Sequence, residues 1–356
     1  ITDGGGGGTP PSTPGTPTRG NEAVLFLLAD STAGYDFFRD DFYYMLILNA
    51  AGNNQLAASR YVAGTRPATS GDGQWGVYVG WDNNVYWTDG QSEEQWTEEG
   101  IVRTLAMSKN LRYIAFTTIN YDNFIYLIDI HSKTVSEVKL QVQLQSAGMG
   151  DLYFADVLTF NFRGDHLFYD GVAAVKLQSG QNIDAWGIYG LRLSDLSNFE
   201  FLAPLSGQQI GDPIFSHTND ALLLADMDLV ENEQVTANVV SIDINQQKIG
   251  LLLKNTELLA KPSFRGDDKS ILVRLIDQNH QNYLLVEGKL AADNLSVDTQ
   301  NLQLVFSSNE AITYPFGFRI GEYTAQEGKI AVPARLDFGT VPVQAIAEQT
   351  LSITNQ

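Results

Sequence analysis

Paired carboxylates are the feature of this sequence that best suits metal chemistry. Asp226 and Asp228 lie two residues apart, and further acidic residues follow them closely. Carboxylate oxygens are the ligands that Ca2+ prefers, so these two aspartates are candidate calcium ligands. The spacing lacks the glycine of a calcium-binding loop, and a chain with 42 acidic residues produces such pairs freely. A solvated acidic loop is therefore the alternative interpretation.

Residues for nucleophilic or acid–base catalysis show no informative pattern. The chain has no cysteine, so it has no thiol nucleophile, no disulfide and no cysteine-ligated metal centre. There is no Gly-x-Ser-x-Gly turn, and the histidines lack the spacing of a metal site. We therefore predict no catalytic residue and no cofactor other than the calcium considered above. The four histidines are His131, His166, His217 and His280.

Aromatic residues offer a second candidate site, because four tryptophans and two tyrosines crowd into one short stretch. Such a group could present an aromatic face to a carbohydrate or to a protein partner. Alternation along a strand would send half of these side chains inward, so core packing is the competing interpretation. The residues are Trp75, Tyr78, Trp81, Tyr86, Trp87 and Trp96.

The overall charge argues against two classes of partner. The chain has 22 basic and 42 acidic residues, a net charge of -20 at pH 7. Nucleic acid phosphates and anionic membrane surfaces would both be repelled. No apolar run approaches the roughly 18–20 residues that span a bilayer, so we predict neither nucleic acid binding nor membrane insertion.

Short β-strands are the elements that must position any site. From about Glu22 to Ala325 the chain consists of apolar or alternating runs separated by Asn, Asp, Gly and Ser. It shows almost no helical periodicity over this length. This pattern predicts an all-β fold.

The strands recur with a period near fifty residues. In each copy an apolar anchor residue is followed by a polar turn, a strand, a loop and a second strand. Four strands per unit at this period are typical of a β-propeller. Residues 22–330 then correspond to six blades, or to seven if the tryptophan-rich stretch is an additional blade. The anchors, separated by 55, 53, 49 and 54 residues, are Met107, Phe162, Phe215, Phe264 and Phe318.

The polar turns of these repeats resemble those of a known protein family. Phe215–Asp220 and Phe264–Asp268 are similar to the Ser-Pro-Asp-Gly turn of bacterial TolB-like propellers, a WD-type architecture, in degraded form. The resemblance extends over the middle of the chain. It implies a β-propeller fold and says nothing about the ligand.

Residues 1–21 differ in composition from the rest of the chain. The glycine run Gly4–Gly8 precedes a Thr-Pro-rich stretch, and no apolar side chain there could offset the entropy of ordering. We expect a disordered tether that is flexible first and stiffer afterwards. The segment resembles the stalk behind the lipidated cysteine of bacterial surface lipoproteins. That resemblance implies lipid anchoring through residues upstream of Ile1.

Residues 331–356 predict two further strands. Arg335–Val343 and Gln349–Asn355 resemble the opening strands of the immunoglobulin-like choice-of-anchor modules of bacterial surface proteins. A sandwich needs about seven strands. These two therefore either begin a further domain or add to the sheet edge of a neighbouring subunit. The side chains predicted to make that interaction are Leu336, Phe338, Val341, Val343, Leu351 and Ile353.

Together these features predict a secreted or cell-surface β-propeller that acts as a non-enzymatic binding or assembly module. Its partners would be proteins, carbohydrate or further copies of the chain, joined through their terminal strands into an extracellular polymer. The alternative is a propeller hydrolase or lyase with its site at the mouth of the central channel. That alternative requires polar and charged residues from several blades to converge at the channel mouth.

Overall fold

Antiparallel strands form six sheets in the computed structural model, which describes residues 22–31, 42–49, 53–141, 149–176, 180, 182–202, 208–231, 234–256, 260–277, 282–321 and 347–348. Five sheets have four strands and one has five. Each sheet is one blade of a six-bladed β-propeller, as the repeat predicts. The tryptophan-rich stretch is the second of these six blades and not a seventh.

The strands are numbered here in chain order. Those of the first three blades and the start of the fourth are β1 (Glu22–Ala29), β2 (Tyr43–Asn49), β3 (Asn54–Leu56), β4 (Ala68–Thr69), β5 (Gly76–Val79), β6 (Val85–Thr88), β7 (Glu93–Gln95), β8 (Val102–Met107), β9 (Tyr113–Thr118), β10 (Phe124–Asp129), β11 (Val135–Lys139) and β12 (Met149–Phe160). The remainder are β13 (His166–Lys176), β14 (Asn182–Arg192), β15 (Ser197–Leu202), β16 (Gln208–Phe215), β17 (Leu222–Glu231), β18 (Gln234–Asp243), β19 (Lys248–Thr256), β20 (Ser263–Phe264), β21 (Ser270–Asp277), β22 (Asn282–Lys289), β23 (Gln303–Ser308), β24 (Ile312–Arg319) and β25 (Ala347–Glu348). A single turn of 3-10 helix, Thr299–Asn301, precedes β23, and no helix among the described residues is long and apolar enough to cross a membrane.

Blades 2 to 6 follow the order of the chain, whereas blade 1 joins its two ends. Blade 2 is β4–β7, blade 3 is β8–β11, blade 4 is β12–β15, blade 5 is β16–β19 with β25, and blade 6 is β20–β23. In blade 1 the order is β24-β1-β2-β3, and Ala23 of β1 lies opposite Phe318 of β24. A strand from the C-terminal part of the propeller thereby closes the ring against the N-terminal strands.

The first strand of every blade lies at the axis. Consecutive first strands contact one another from β4 through β8, β12, β16 and β20 to β24. These strands therefore line the central channel, and the fourth strands lie at the periphery. The residues that begin each first strand are at one end of the channel, here called the mouth, and the turns that follow these strands are at the other.

The turn after the first strand repeats with the same geometry, as the polar motif predicts. In blades 2, 3, 4 and 6 its fourth residue has a φ between 57° and 70° and donates its N–H to the carbonyl of the first residue over 3.0 Å. The anchor of blade 4 is therefore Phe160, which ends β12, whereas Phe162 lies within the turn. The four residues with positive φ are Gly73, Leu111, Gly164 and Asp268.

Apolar side chains packed between neighbouring blades form the core. Phe26, Phe168, Phe215 and Phe264 are each no more than 2% exposed. Burying one such side chain contributes about 1.5–3 kcal/mol. The blades thus stabilise one another through their faces.

The predicted aromatic group of blade 2 is divided between core and surface. Trp87 and Trp96 stack on each other with their ring centroids 4.9 Å apart and pack partly against the core. Trp81 is 37% exposed and stacks with Phe42 at 4.7 Å. The tyrosines of the group, Tyr78 and Tyr86, are buried. Core packing therefore accounts for most of these residues, and Trp81 is the member at the surface.

The predicted terminal segments lie almost wholly outside the described residues. Residues 1–21 do so, as do Leu336, Phe338, Val341, Val343, Leu351 and Ile353. The described part of the C-terminal segment is β25, in which Ala347 pairs with Ile249 of β19 and Glu348 with Lys248. This pairing makes β25 the fifth strand of blade 5, and the described residues give no support to an immunoglobulin-like module.

Candidate functional site

Six side chains, one from each blade, converge at the mouth of the channel. Five are charged residues that form ion pairs between different blades, and such convergence is the condition that a ligand site at the axis requires. We call this group the axial cluster. Its members, from blade 1 to blade 6, are Tyr314, Arg66, Arg103, Asp156, Asp212 and Lys261.

A repeated X-Pro dipeptide positions four members of the cluster. Each X residue comes just before, or within, the first strand of its blade, and proline is the next residue. Proline restricts φ and removes an N–H donor at the start of the strand. Asp212, Lys261 and Tyr314 have φ values of 51°, 50° and 46°, a region that residues other than glycine rarely adopt. The fourth X residue is Arg66.

Buried aspartates on the second strands hold two of these strained residues. Asp170 of β13 accepts the N–H of Asp212 over 2.8 Å and the N–H of Val157 over 2.6 Å. Asp226 of β17, at the equivalent place in the next blade, accepts the N–H of Lys261 over 3.2 Å. Each carboxyl group thus fixes the backbone of the X residue in the blade that follows it.

Ion pairs link the cluster across the channel. The Lys261 ammonium bonds to the Asp212 carboxylate, and the Arg66 guanidinium lies 3.8 Å from the same carboxylate. Arg66 also donates to the carbonyls of Pro213 and Pro262, over 3.2 Å and 3.4 Å. The Lys261 Nζ lies 4.9 Å from the centre of the Tyr314 ring. Blades 1, 2, 5 and 6 are therefore tied together at the axis.

Burial changes the protonation of these groups. It raises the pKa of Asp226 to about 8, and the Asp212 carboxylate adds to the shift. Burial by itself would lower the pKa of Lys261, but Asp212, Tyr314 and Asp226 together more than offset this and raise it. At neutral pH Asp226 therefore keeps its proton, and Lys261 stays charged and bonded to Asp212. The Asp226 Oδ1 atom is buried without a hydrogen-bond partner.

An aromatic rim reaches solvent beside the cluster. Arg103 pairs with Asp156 over 3.0 Å, and its guanidinium lies 4.2 Å from the centre of the Tyr121 ring. Phe154 meets Tyr121 edge-on at 5.1 Å and Trp186 edge-on at 5.7 Å. Tyr121 is 53% exposed, and about a quarter of the Arg103 and Asp156 side chains is exposed. We call Tyr121, Phe154 and Trp186 the aromatic rim.

The structure places the residues considered for metal binding in different surroundings. Asp226 is buried and bonded to backbone, whereas Asp228, two residues along β17, is half-buried. His166 pairs with Asp165, His131 is exposed, and His280 lies outside the described residues. Within the described ranges no three His, Asp or Glu side chains are grouped so as to hold a metal ion.

Sequence reasoning missed the axial cluster, although one signal for it is present. Arg66, Asp212, Lys261 and Tyr314 are all followed by proline at a similar distance before the end of a first strand. Arg103 and Asp156 lack this mark. The X-Pro dipeptide could have indicated that these four positions are equivalent. It could not have indicated that their side chains meet.

Comparisons with known proteins show similarity at the level of the fold. The chain is similar to hydrazine synthase of Kuenenia stuttgartiensis, with a TM-score of 0.55, 8% identity, and coverage of 87% of this chain and 48% of that one. It is also similar to a putative TolB from Agrobacterium tumefaciens (TM-score 0.46, 9% identity, 82% and 91% covered). A third is the GH74 xyloglucanase from Xanthomonas campestris (TM-score 0.43, 12% identity, 79% and 45% covered). No family model and no curated protein sequence matches the chain.

Proposed function

We propose that the protein is a binding module whose ligand is a neutral carbohydrate held at the channel mouth. The aromatic rim next to the Arg103–Asp156 pair is the observation that carries the proposal. Sugar rings pack their C–H faces on aromatic side chains, and their hydroxyl groups bond to carboxylates and guanidinium groups. Tyr121 with Arg103 and Asp156 supplies both kinds of contact in one exposed place.

The buried part of the axial cluster favours binding over catalysis. Lys261, Asp212 and Arg66 have nearly all of their side chains buried, and they bond to one another or to backbone carbonyls. Buried charges held in this way support a fixed geometry. They form a rigid base on which the exposed Arg103–Asp156 pair and the rim can hold a ligand without rearrangement.

A panel of neutral oligosaccharides tests the proposal, with affinity measured by calorimetry on the full chain. We expect Tyr121→Ala and Asp156→Asn each to weaken binding at least about tenfold, since each removes a direct contact. Tyr113→Ala is the matched control, because Tyr113 begins β9 with an arginine 5.1 Å over its ring, at the opposite end from Tyr121. The proposal fails if the folded protein binds none of the panel, or if Tyr121→Ala binds as the unchanged chain does.

A glycoside hydrolase is the second candidate function. Asp226 keeps its proton at neutral pH, which is the state that a general acid needs. It is 8% exposed, and one of its oxygens is bonded to backbone, so a substrate would reach it only through the unpartnered Oδ1. Turnover of a bound oligosaccharide that disappears in Asp226→Asn, with binding retained, would establish the enzyme and replace the binding module.

We also propose that the module works outside the cell and assembles through its C-terminal segment. The Thr-Pro composition of residues 1–21 supports a surface tether. The pairing of Ala347–Glu348 with β19 supports the idea that the outer edge of blade 5 accepts an added strand. The strand would come from the same chain in a monomer and from the neighbouring subunit in a polymer. Ca2+ at Asp226 and Asp228 remains a weaker proposal, because Asp226 already bonds to the backbone of Lys261.

A further inference from the structure

A small, partly open cavity lies in the channel, between the axial cluster and the turns at the far end. Its volume is about 30 Å3, which is room for about two water molecules. Apolar side chains form its walls, and basic or hydrogen-bond-donating groups lie at its two ends. No acidic residue lines it among the described residues. The lining includes Leu105, Leu158 and Phe316 on the walls and Arg66, Lys109 and His217 at the ends.

The far end of the cavity carries an ammonium group and an imidazole. Lys109 Nζ lies 2.6 Å from Nδ1 of His217. An ammonium group can only donate, so Nδ1 accepts and the neutral ring carries its proton on Nε2. The Nε2 atom is buried without a hydrogen-bond partner. Because the two ring nitrogens point in different directions, Nε2 lies on the far side of the ring from the half-buried Lys109 ammonium group, where the Phe264 carbonyl acts on it.

The charge of Lys109 is poorly compensated. Burial lowers the pKa of its ammonium group to about 8, although the carboxylates of Asp268 and Asp220 act in the opposite direction. Burial, and then Lys109, lower the pKa of His217 to about 3, against smaller opposing effects of Asp268 and the Phe264 carbonyl. His217 is therefore neutral at pH 7 and does not repel an anion.

The end of the cavity next to the mouth repeats this arrangement. Arg66 is 5% exposed, and its two terminal nitrogens donate to the carbonyls of Pro213 and Pro262. Its Nε atom is buried without a partner. The Asp212 carboxylate lies 3.8 Å from Arg66 but is bonded chiefly to Lys261. Arg66 therefore also presents a free N–H and an incompletely neutralised charge.

We propose that this cavity is a binding site for a small monovalent anion of halide size. The anion would accept the Nε–H of Arg66 at one end and an N–H of the Lys109 ammonium group at the other. It would satisfy the buried Nε–H of Arg66 and offset the charges of Arg66 and Lys109. By connecting Arg66 of blade 2 with Lys109 of blade 3, which in turn bonds to His217 of blade 5, it would also tie three blades together.

Bromide is the probe that tests the site. Crystals of the full chain soaked in sodium bromide should show an anomalous peak within the cavity, between Arg66 and Lys109. In solution, bromide should raise the melting temperature in a saturable way, because a ligand that binds only the folded state stabilises it. Sodium gluconate at equal concentration is the salt control, since its anion is too large for the cavity.

Two variants keep the test decisive. Lys109→Met should weaken the bromide effect at least about tenfold, since it removes a charged donor. Lys133→Met is the matched control, because Lys133 lies on an exposed turn. If Lys109→Met does not fold, Lys109→Gln keeps a hydrogen-bonding group beside His217 and removes the charge, and it should weaken the bromide effect as well. An empty or water-filled cavity in bromide-soaked crystals, or an equal bromide effect in Lys109→Met, would overturn the proposal.

Discussion

Single carboxyl groups hold strained backbone at the channel mouth. A left-handed conformation costs a residue other than glycine roughly 1–2 kcal/mol, and Asp212, Lys261 and Tyr314 each adopt it. A buried hydrogen bond from Asp170 or Asp226 contributes about as much in return. Backbone strain of this kind concentrates at functional sites, where it fixes the direction of a side chain. Here it directs the side chains towards the axis.

The protonated state of Asp226 predicts a dependence of stability on pH. Its pKa is about 8 in the folded chain, above the ordinary value near 4, so the folded state holds a proton that the unfolded state releases. The contribution of Asp226 to stability is therefore full below about pH 4 and is lost as the pH rises towards 8 and beyond. The charged groups that act on the pKa of Asp226 are Asp212, Lys261 and Arg66.

Asp226→Asn should remove this dependence, because an amide stays neutral and its oxygen can still accept the Lys261 N–H. We expect the variant to gain stability over the unchanged chain between pH 5 and pH 9, by a few kcal/mol on the scale of 1.4 kcal/mol per pKa unit. Urea unfolding at several pH values measures the gain. Asp293→Asn, on an exposed turn, controls for changing one carboxyl to an amide. Parallel pH curves for Asp226→Asn and the unchanged chain would contradict the assignment.

At the scale of elements, the turns between strands carry strain that the blades tolerate. Leu196, in the turn between β14 and β15, has a φ of 55° and is 44% exposed. Asparagine accepts this conformation far better than leucine does. Leu196→Asn should therefore raise the free energy of unfolding by about 0.5–1 kcal/mol in urea titrations.

The same substitution at an exposed strand position gives the control for this turn. Leu304 on β23 is 62% exposed and has extended backbone. Asparagine is a poor residue in strands, so Leu304→Asn should leave stability unchanged or lower it. A gain at both positions would mean that lost surface hydrophobicity, and not relief of turn strain, is the cause.

The repeated elements were the part of the fold that local patterns could reveal. Each copy of the polar turn has its own internal hydrogen bond, so four neighbouring residues are enough to determine the turn and to make it recognisable in the sequence. The period places an anchor at Phe162, and only the pairing of β12 with β13 shows that Phe160 ends the strand. The period predicts six blades, and six are present because the tryptophan-rich stretch forms one of the six and not an additional blade.

The axial cluster belongs to the scale of the whole molecule, which explains why the sequence did not disclose it. Arg66 and Tyr314 lie at opposite ends of the propeller in sequence, yet the Arg66 guanidinium is 5.9 Å from the Tyr314 ring. Their approach depends on closure of the ring by β24 and β1. No local periodicity indicates that these two side chains approach each other. Their approach is determined by the packing of all six blades together.

Two truncations separate ring closure from assembly. Ending the chain after Glu310 removes β24, with buried Ile312, Phe316 and Phe318. At about 1.5–3 kcal/mol each, this loss is comparable to the whole net stability of about 5–15 kcal/mol, so we expect an unfolded chain by circular dichroism. Ending the chain after Val332 keeps β24 and removes β25, so the fold should persist while any polymer of the full chain is lost in light scattering.

Either truncation can contradict the role assigned to its segment. A chain ending at Glu310 that unfolds as cooperatively as the full chain would show that five blades and three strands suffice without closure. A chain ending at Val332 that assembles as the full chain does would place the contact between subunits elsewhere. If the full chain is itself a monomer, β25 pairs with β19 of its own propeller. Its removal should then lower stability only slightly, because β25 contributes two residues at the outer edge of one blade.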